Sequence, residues 1–455
     1  MKFQSFCLTL ALTMGSAVAL APRLEACLWD YDTLAVELKG IPEVRDVAAG
    51  AFDRFPAKYY EMRIERLKKQ LGKAEVDADS ADSDGDGSAN ASEVDLEAYD
   101  SLAVAYDRLG KSDEAIEWMS KKLAAMEAMG YDSAKEEQPN HRYRYLANLG
   151  TFYAHRWVKS GAKQEARDDL DQAIKLIEQA IEENPDAHFG REIYQLKALK
   201  WLRDTASKSY TKGGLPDMLG LRAKDAFHDS GDNDTLKKME IEDAALGLTG
   251  LVVQGAAWQS VDVFYALYLT LATDGKHAAA LYVFQRVKEL VEAGGTSFVK
   301  DAPIGAELLK KMEVWSLVDD PHVPDIKADF KAMRTYAKSL DGAREEYMYE
   351  KLKAGEHPDT HPEFWAEFEA PARPTLHDEE SAGDSPKQTN DDDAPREDSH
   401  AKNEESESED DRNAPGGEGK WGEERQREDQ QQPREGKKHA EPRKQNAAPR
   451  RNSDG

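Results

Sequence analysis

The stretch Asp82-Ser83-Asp84-Gly85-Asp86-Gly87, running on to Glu93, carries the most explicit chemistry in this chain. Asp82, Asp84 and Asp86 stand at alternate positions where side-chain oxygens can converge on one point. Ser88 would add its carbonyl, Asn90 a water-mediated contact and Glu93 a bidentate carboxylate, while Gly87 stands where such a loop turns sharply. Hard oxygen donors on a short loop are what a calcium ion requires, and a single extracellular-type site would bind at about 10⁻⁴–10⁻³ M.

This is the EF-hand loop pattern, with Ala89 in place of the usual bulky apolar residue and no second loop to pair with. The alternative is an acidic surface insertion. A second group, His357, Asp359 and His361, offers transition-metal donors, but Pro358 and Pro362 exclude a regular helix. It supplies fewer ligands than the four of a closed site, and its alternative is a rigid chain end. Gly110-Lys111-Ser112 ends like a phosphate loop, yet Ala105 stands where that loop needs its first glycine. With no GxSxG, GxGxxG or CxxC spacing either, the sequence predicts a protein without catalysis.

Lys2 precedes an apolar run from Phe6 to Leu20, followed by small residues, which is the order of an export signal over residues 1–26. The run is short for a membrane-spanning helix, the alternative being an uncleaved anchor. Of the 2 cysteines, Cys7 falls inside this signal and Cys27 follows it, so no intrachain disulfide is expected after cleavage. Leu24-Glu25-Ala26-Cys27 resembles a bacterial lipoprotein box, although Arg23 and Glu25 break its apolar run. Cys27 is therefore either a lipidation site, the only membrane attachment expected, or an ordinary thiol. The expected location is the periplasm or the cell envelope. A formal net charge of −27 excludes nucleic acid as a main partner.

The helices that would position these groups are legible from apolar spacing. Tyr60, Ile64, Leu67 and Leu71 repeat at helical intervals after Pro56, behind a shorter pattern over residues 42–52. In residues 96–119, Tyr99, Leu102, Tyr106, Gly110, Ala115 and Met119 fit a helix, a tight turn and a second antiparallel helix. This stretch resembles the tetratricopeptide repeat (TPR), a helix–turn–helix unit that stacks into a solenoid. A second match runs through Leu146, Leu149, Gly150 and Tyr153, then Ala173, Ile177, Ala180 and Pro185. Its Gly150–Ala173 interval exceeds the family spacing by about three helical turns. That excess predicts a hairpin of two lengthened helices turning at Ser160-Gly161, the alternative being a loop at 157–163. A third match uses Phe264, Leu267, Gly275, Ala280 and Phe284, with Tyr268 replacing the small residue.

The resemblance implies an all-α, TPR-like solenoid with a binding groove for proteins or peptides on its first helices. Candidate groove positions are Asp100, Ala103, Asp107, Asn148, His155 and Arg156. The expected divisions are a helical hairpin with the acidic insertion (27–92), two repeats (93–210), a flexible loop (211–237) and a divergent repeat with capping helices (238–370). Residues 371–455, rich in Asp, Glu, Ser, Gln and Arg, lack the aliphatics to offset ordering entropy and are expected to form a disordered charged tail, acidic in its first half. The expected activity is that of an exported interaction scaffold, or of an extracellular calcium-responsive adaptor; a metal-dependent enzyme is the remaining alternative.

Overall fold

A computed structural model describes residues 28–32, 41–81, 95–135, 140–185, 191–205, 217–222, 234–255, 257–298 and 323–377. All lie in one compact unit, residues 1–386; a second unit, residues 387–455, lies outside them. Among the described residues the regular structure is entirely helical. A short α1 (Val44–Ala49) precedes the long α2 (Ala57–Ala81). The hairpins α3 (Leu96–Arg108) with α4 (Ser112–Ala128) and α5 (His141–Lys159) with α6 (Arg167–Glu183) follow. After α7 (Arg191–Thr205), α8 (Asp234–Lys238) and α9 (Ala244–Val253) comes a third hairpin, α10 (Val261–Thr273) with α11 (His277–Glu292), and then α12 (Val323–Lys353).

The hairpins share one local grammar. Each first helix has a side-chain cap: Asp95 accepts from the Ala98 N–H, Asn140 from the Tyr143 N–H and Ser260 from the Val263 N–H. These short side chains satisfy amides that have no carbonyl partner within the helix. The second helices leave their turns without such a cap, because the preceding helix and turn already fix their direction. Gly110 between α3 and α4 takes φ 71°, a left-handed conformation open to glycine at little cost.

The second hairpin is lengthened on both arms: α5 runs on to Lys159 and α6 starts at Arg167, joined by a turn at 160–166 rather than by a long loop. The helices pass closely where Gly150 faces α6; a Cβ there would lie 3.0 Å from Ile177 Cδ1 and 3.1 Å from Leu176 Cβ. Leu102, Ala115, Ala173, Ile177, Ala180, Leu267, Ala280 and Phe284 are all buried in the interior. Tyr99 and Leu149 are buried too, whereas Tyr106 and Tyr153 are half-buried and Pro185 is exposed.

Packing runs from helix to helix along α2–α7 and α9–α12, with α9 seated on α7, and the run also meets itself. The final helix α12 packs on α1, α2 and α11, and α1 packs on α9 and α11. Trp258 marks this junction: Arg286, Arg334 and Arg54 lie 3.6, 5.2 and 5.3 Å from its ring, and a Cβ on Gly50 would collide with it.

Two boundaries differ from the sequence expectation. Within 211–237, Met218, Leu219 and Leu221 are core residues, so a short apolar run anchors part of what reads as a flexible loop. Past Pro371 the chain stays packed: Leu376 is fully buried, Arg373 pairs with Asp46 at 2.9 Å, and His377 Nδ1 lies 2.6 Å from Asp329 Oδ1. Residues 378–455, like the export segment 1–26, lie outside the described residues.

Candidate functional site

The most chemically specific arrangement is a face on which residues 28–32 of the chain itself are seated. It is built from helix faces. On α5, Arg144 and Asn148 are one turn apart; on α3, Asp100 and Ser101 are adjacent; on α2, Tyr59, Arg63 and Arg66 form one stripe.

Asn148 is fully buried and reads main chain rather than side chain. Its Oδ1 accepts from the Trp29 N–H at 2.7 Å, and its Nδ2 donates to the Trp29 carbonyl at 3.0 Å. The amide is oriented by Asp100, whose Oδ1 accepts from Nδ2 at 3.2 Å. Asp100 is held in turn by Lys122, which donates to Oδ2 at 2.5 Å. Burial pushes Asp100 up and Lys122 down, each toward its neutral form, and their mutual attraction opposes both shifts. Ser101 Oγ accepts from the Tyr31 N–H at 3.4 Å.

Side chains of the segment are sorted by type. Leu28 is fully buried among Leu96, Leu146 and Leu149, and burial of that size contributes about 1.5–3 kcal/mol. The Trp29 ring has the Arg144 guanidinium 4.8 Å from its centroid and the Tyr143 ring edge-on at 5.8 Å. Asp30 and Asp32 turn toward Arg63, at 3.6 and 2.8 Å.

Arg63 is the other anchor. Its side chain is 0% exposed and also pairs with Asp359 at 2.6 Å. Tyr59 donates to Asp32 at 2.6 Å, and Arg66 joins Asp359 from the solvent side. Burial works against the Arg63 charge, but Asp32 together with the hydrogen bonds to Asp359 and Asp32 holds it firmly protonated. Burial likewise opposes the Asp359 charge, yet the Arg63 bonds and charge keep its pKa below the ordinary carboxylate value. His357 stacks on Tyr59 with centroids 4.4 Å apart, and burial lowers its pKa despite the nearby Asp359.

Of the six groove positions, Asp100, Ala103, Asp107 and Asn148 are buried, and His155 and Arg156 are half-buried. Asp100, Ala103 and Asn148 are buried because residues 28–32 and α4 cover them. Asp107 is buried between Ser112, which donates to it at 3.1 Å, and His155, whose Nδ1 lies 2.6 Å away. Both groups address the carboxylate, so the serine has no imidazole base and the trio is not a nucleophilic triad. Arg156 is part-exposed and bridges Asp113 and Asp169 at 2.8 and 2.7 Å.

The histidines at 357 and 361 are already engaged: His357 Nε2 faces the Tyr59 carbonyl on α2 at 3.1 Å, its Nδ1 accepts from the Asp359 N–H at 3.1 Å, and His361 Nδ1 lies 2.9 Å from Thr360 Oγ1. Among the described residues no group of three or more His, Cys, Asp or Glu is arranged to hold a metal, and no helix is long and apolar enough to cross a membrane. Cys27 and the calcium-type series Asp82, Asp84, Asp86, Ser88, Asn90 and Glu93 lie outside the described residues.

Sequence reasoning missed Trp29, Asp30, Asp32, Arg63 and Arg144. The available signals were an acidic–aromatic run, Trp29 to Asp32, and an arginine on the same helical face as Tyr60 and Leu67. Comparison with family models, curated proteins and solved structures gives no match for this chain.

Proposed function

We propose that this protein is a non-catalytic scaffold: an exported, TPR-like array of helical hairpins that holds polypeptide segments on its first helices and acts in protein–protein interaction at the cell envelope. One observation carries the reading. The Asn148 side chain pairs with both the N–H and the carbonyl of a single residue, Trp29, in a segment outside the hairpins. A buried amide used in this way recognises main chain whatever its side chain, as peptide-binding surfaces require. The capped first helices of the α3–α4 and α5–α6 hairpins present that face, in keeping with the TPR-like spacing of the sequence. Export rests on the apolar run from Phe6 to Leu20.

The test is site-specific photo-crosslinking. A benzophenone side chain placed at Glu97 or Arg156, part-exposed positions on α3 and α5, is activated in envelope fractions of the producing cell. A discrete protein adduct from either site supports the scaffold. Absence of any adduct from both sites, in protein with the parent's helix content, overturns it.

A further inference from the structure

We infer that residues 28–32 are a resident ligand of this face, and that the face takes in trans a short peptide in which an apolar residue and an aromatic are followed by acidic residues. The inference rests on the scaffold reading above and names the ligand class.

Three features point this way. The segment, a bend at Asp30 that leads into helical Tyr31 and Asp32, is held by side chains that read main chain, Asn148 on Trp29 and Ser101 on Tyr31. The amide of Asn148 is oriented before any ligand arrives, because Asp100 accepts from its Nδ2 and Lys122 secures Asp100. Such preorganisation lowers the entropy lost on binding.

The third feature is selectivity. Leu28 fills an apolar recess, Trp29 meets the Arg144 cation and the Tyr143 edge, and Asp30 and Asp32 meet Arg63. The chain as a whole carries a net charge of −27. An acidic ligand is therefore repelled over most of the surface, and Arg63, Arg66 and Arg144 make this face a local exception. A neutral or basic peptide would leave Arg63 with unreplaced carboxylate partners.

The experiment uses the full chain and a fluorescein-labelled peptide, acetyl-Leu-Trp-Asp-Tyr-Asp-amide, read by anisotropy. The parent, whose face is filled, should bind it weakly. The Trp29→Ala/Asp32→Asn chain, with its own segment weakened, should bind at least tenfold more tightly. Adding Asn148→Ala, or exchanging both peptide aspartates for asparagine, should remove that gain. A folded double variant that binds no better than the parent overturns the inference.

A second arm covers a variant that fails to fold. Peptide with photo-leucine in place of leucine is irradiated with the parent chain at millimolar concentration. Adducts within residues 96–108 or 141–159 support the inference, and adducts elsewhere or none overturn it. A partner adduct at Glu97 or Arg156 without peptide binding refutes this ligand class and leaves the scaffold standing.

Discussion

Arg63→Ala should be among the most damaging single substitutions in the described part of this protein. The Arg63 side chain is 0% exposed, and its partners Asp30, Asp359 and Asp32 have side chains 2, 6 and 20% exposed. Removing the cation leaves these carboxylates facing one another with little water, and breaking a buried ion pair from one side costs about 3–5 kcal/mol. For a domain of this size that corresponds to a fall in Tm of roughly 5 °C. The pH dependence separates charge from cavity. In the parent, the folded-state pKa of Asp359 lies below its ordinary value. Its contribution is therefore complete above about pH 4 and is lost as pH falls through the lowered value. Without Arg63 the carboxylates become easier to protonate, so the variant's deficit should shrink between pH 7.5 and 4.5. Arg63→Met, which keeps most of the stem, should show the same shrinkage. Urea unfolding followed by circular dichroism measures both variants at both pH values. A deficit below about 1 kcal/mol, or one equal at the two pH values, refutes the argument that a buried charge cluster anchors this face.

Asp217 is fully buried, and burial pushes its pKa up to about 7, restrained by the N–H groups of Leu221, Leu219 and Gly220. The folded state therefore keeps a proton that the unfolded chain releases, and stability falls as pH rises from about 4 to 7, by up to about 1.4 kcal/mol per pH unit. Asp217→Asn, which retains the accepting Oδ1, should flatten this slope in urea titrations at pH 5 and 7.5; Asp262, pushed up to about 6 by burial, supplies what slope remains. An unchanged slope refutes the assignment. Gly150→Ala would place a Cβ 3.0 Å from Ile177 and should cost about 1–3 kcal/mol. Thermal unfolding should show partial recovery in Gly150→Ala/Ile177→Val, and no recovery would mean the strain lies elsewhere. If the Asp82–Glu93 loop binds calcium at about 10⁻³ M, then 5 mM calcium should stabilise the parent by about 1 kcal/mol. The Asp82→Ala/Glu93→Gln chain should lose that shift, and equal calcium sensitivity in both would refute the loop.

The helices were legible because their information is local. Tyr60, Ile64, Leu67 and Leu71 announce α2, and α12 falls within the stretch expected to hold capping helices. The lengthened second hairpin was legible too, because an excess of about three turns keeps the facing sides in register. What sequence could not show are contacts whose partners lie far apart in the chain. Residues 28–32 are too few to display any period, and their value depends on Asn148 and Arg63. Arg63 itself reads as one more charge on an amphipathic helix, since nothing nearby announces that Asp359 will cover it. Asn148 reads from sequence as a groove position on α5, and nothing in the sequence announces that Trp29 of the same chain sits on it. Leu376, a lone aliphatic in a polar stretch, gave no hint of its fully buried position.

Arg63 links the two ends of this arrangement, because one guanidinium serves both residues 30–32 and Asp359. The linkage constrains any ligand that displaces residues 28–32. A ligand that supplies carboxylates of its own leaves Arg63 neutralised and Asp359 in place, and the exchange is nearly balanced. A ligand without them strips Arg63 of Asp30 and Asp32 while leaving it buried, with Asp359 alone to serve both Arg63 and Arg66, and must offset that loss. Affinity for the face and seating of residues 357–361 on α2 are therefore coupled by the same cation, and coupling of this kind is reciprocal. Asp359→Asn, made without touching the face, should then strengthen the hold of Arg63 on the remaining carboxylates and slow exchange of residues 28–32 for the acidic peptide. Stopped-flow anisotropy at fixed peptide concentration measures that rate, and an exchange rate equal to the parent's would show that the two ends act independently.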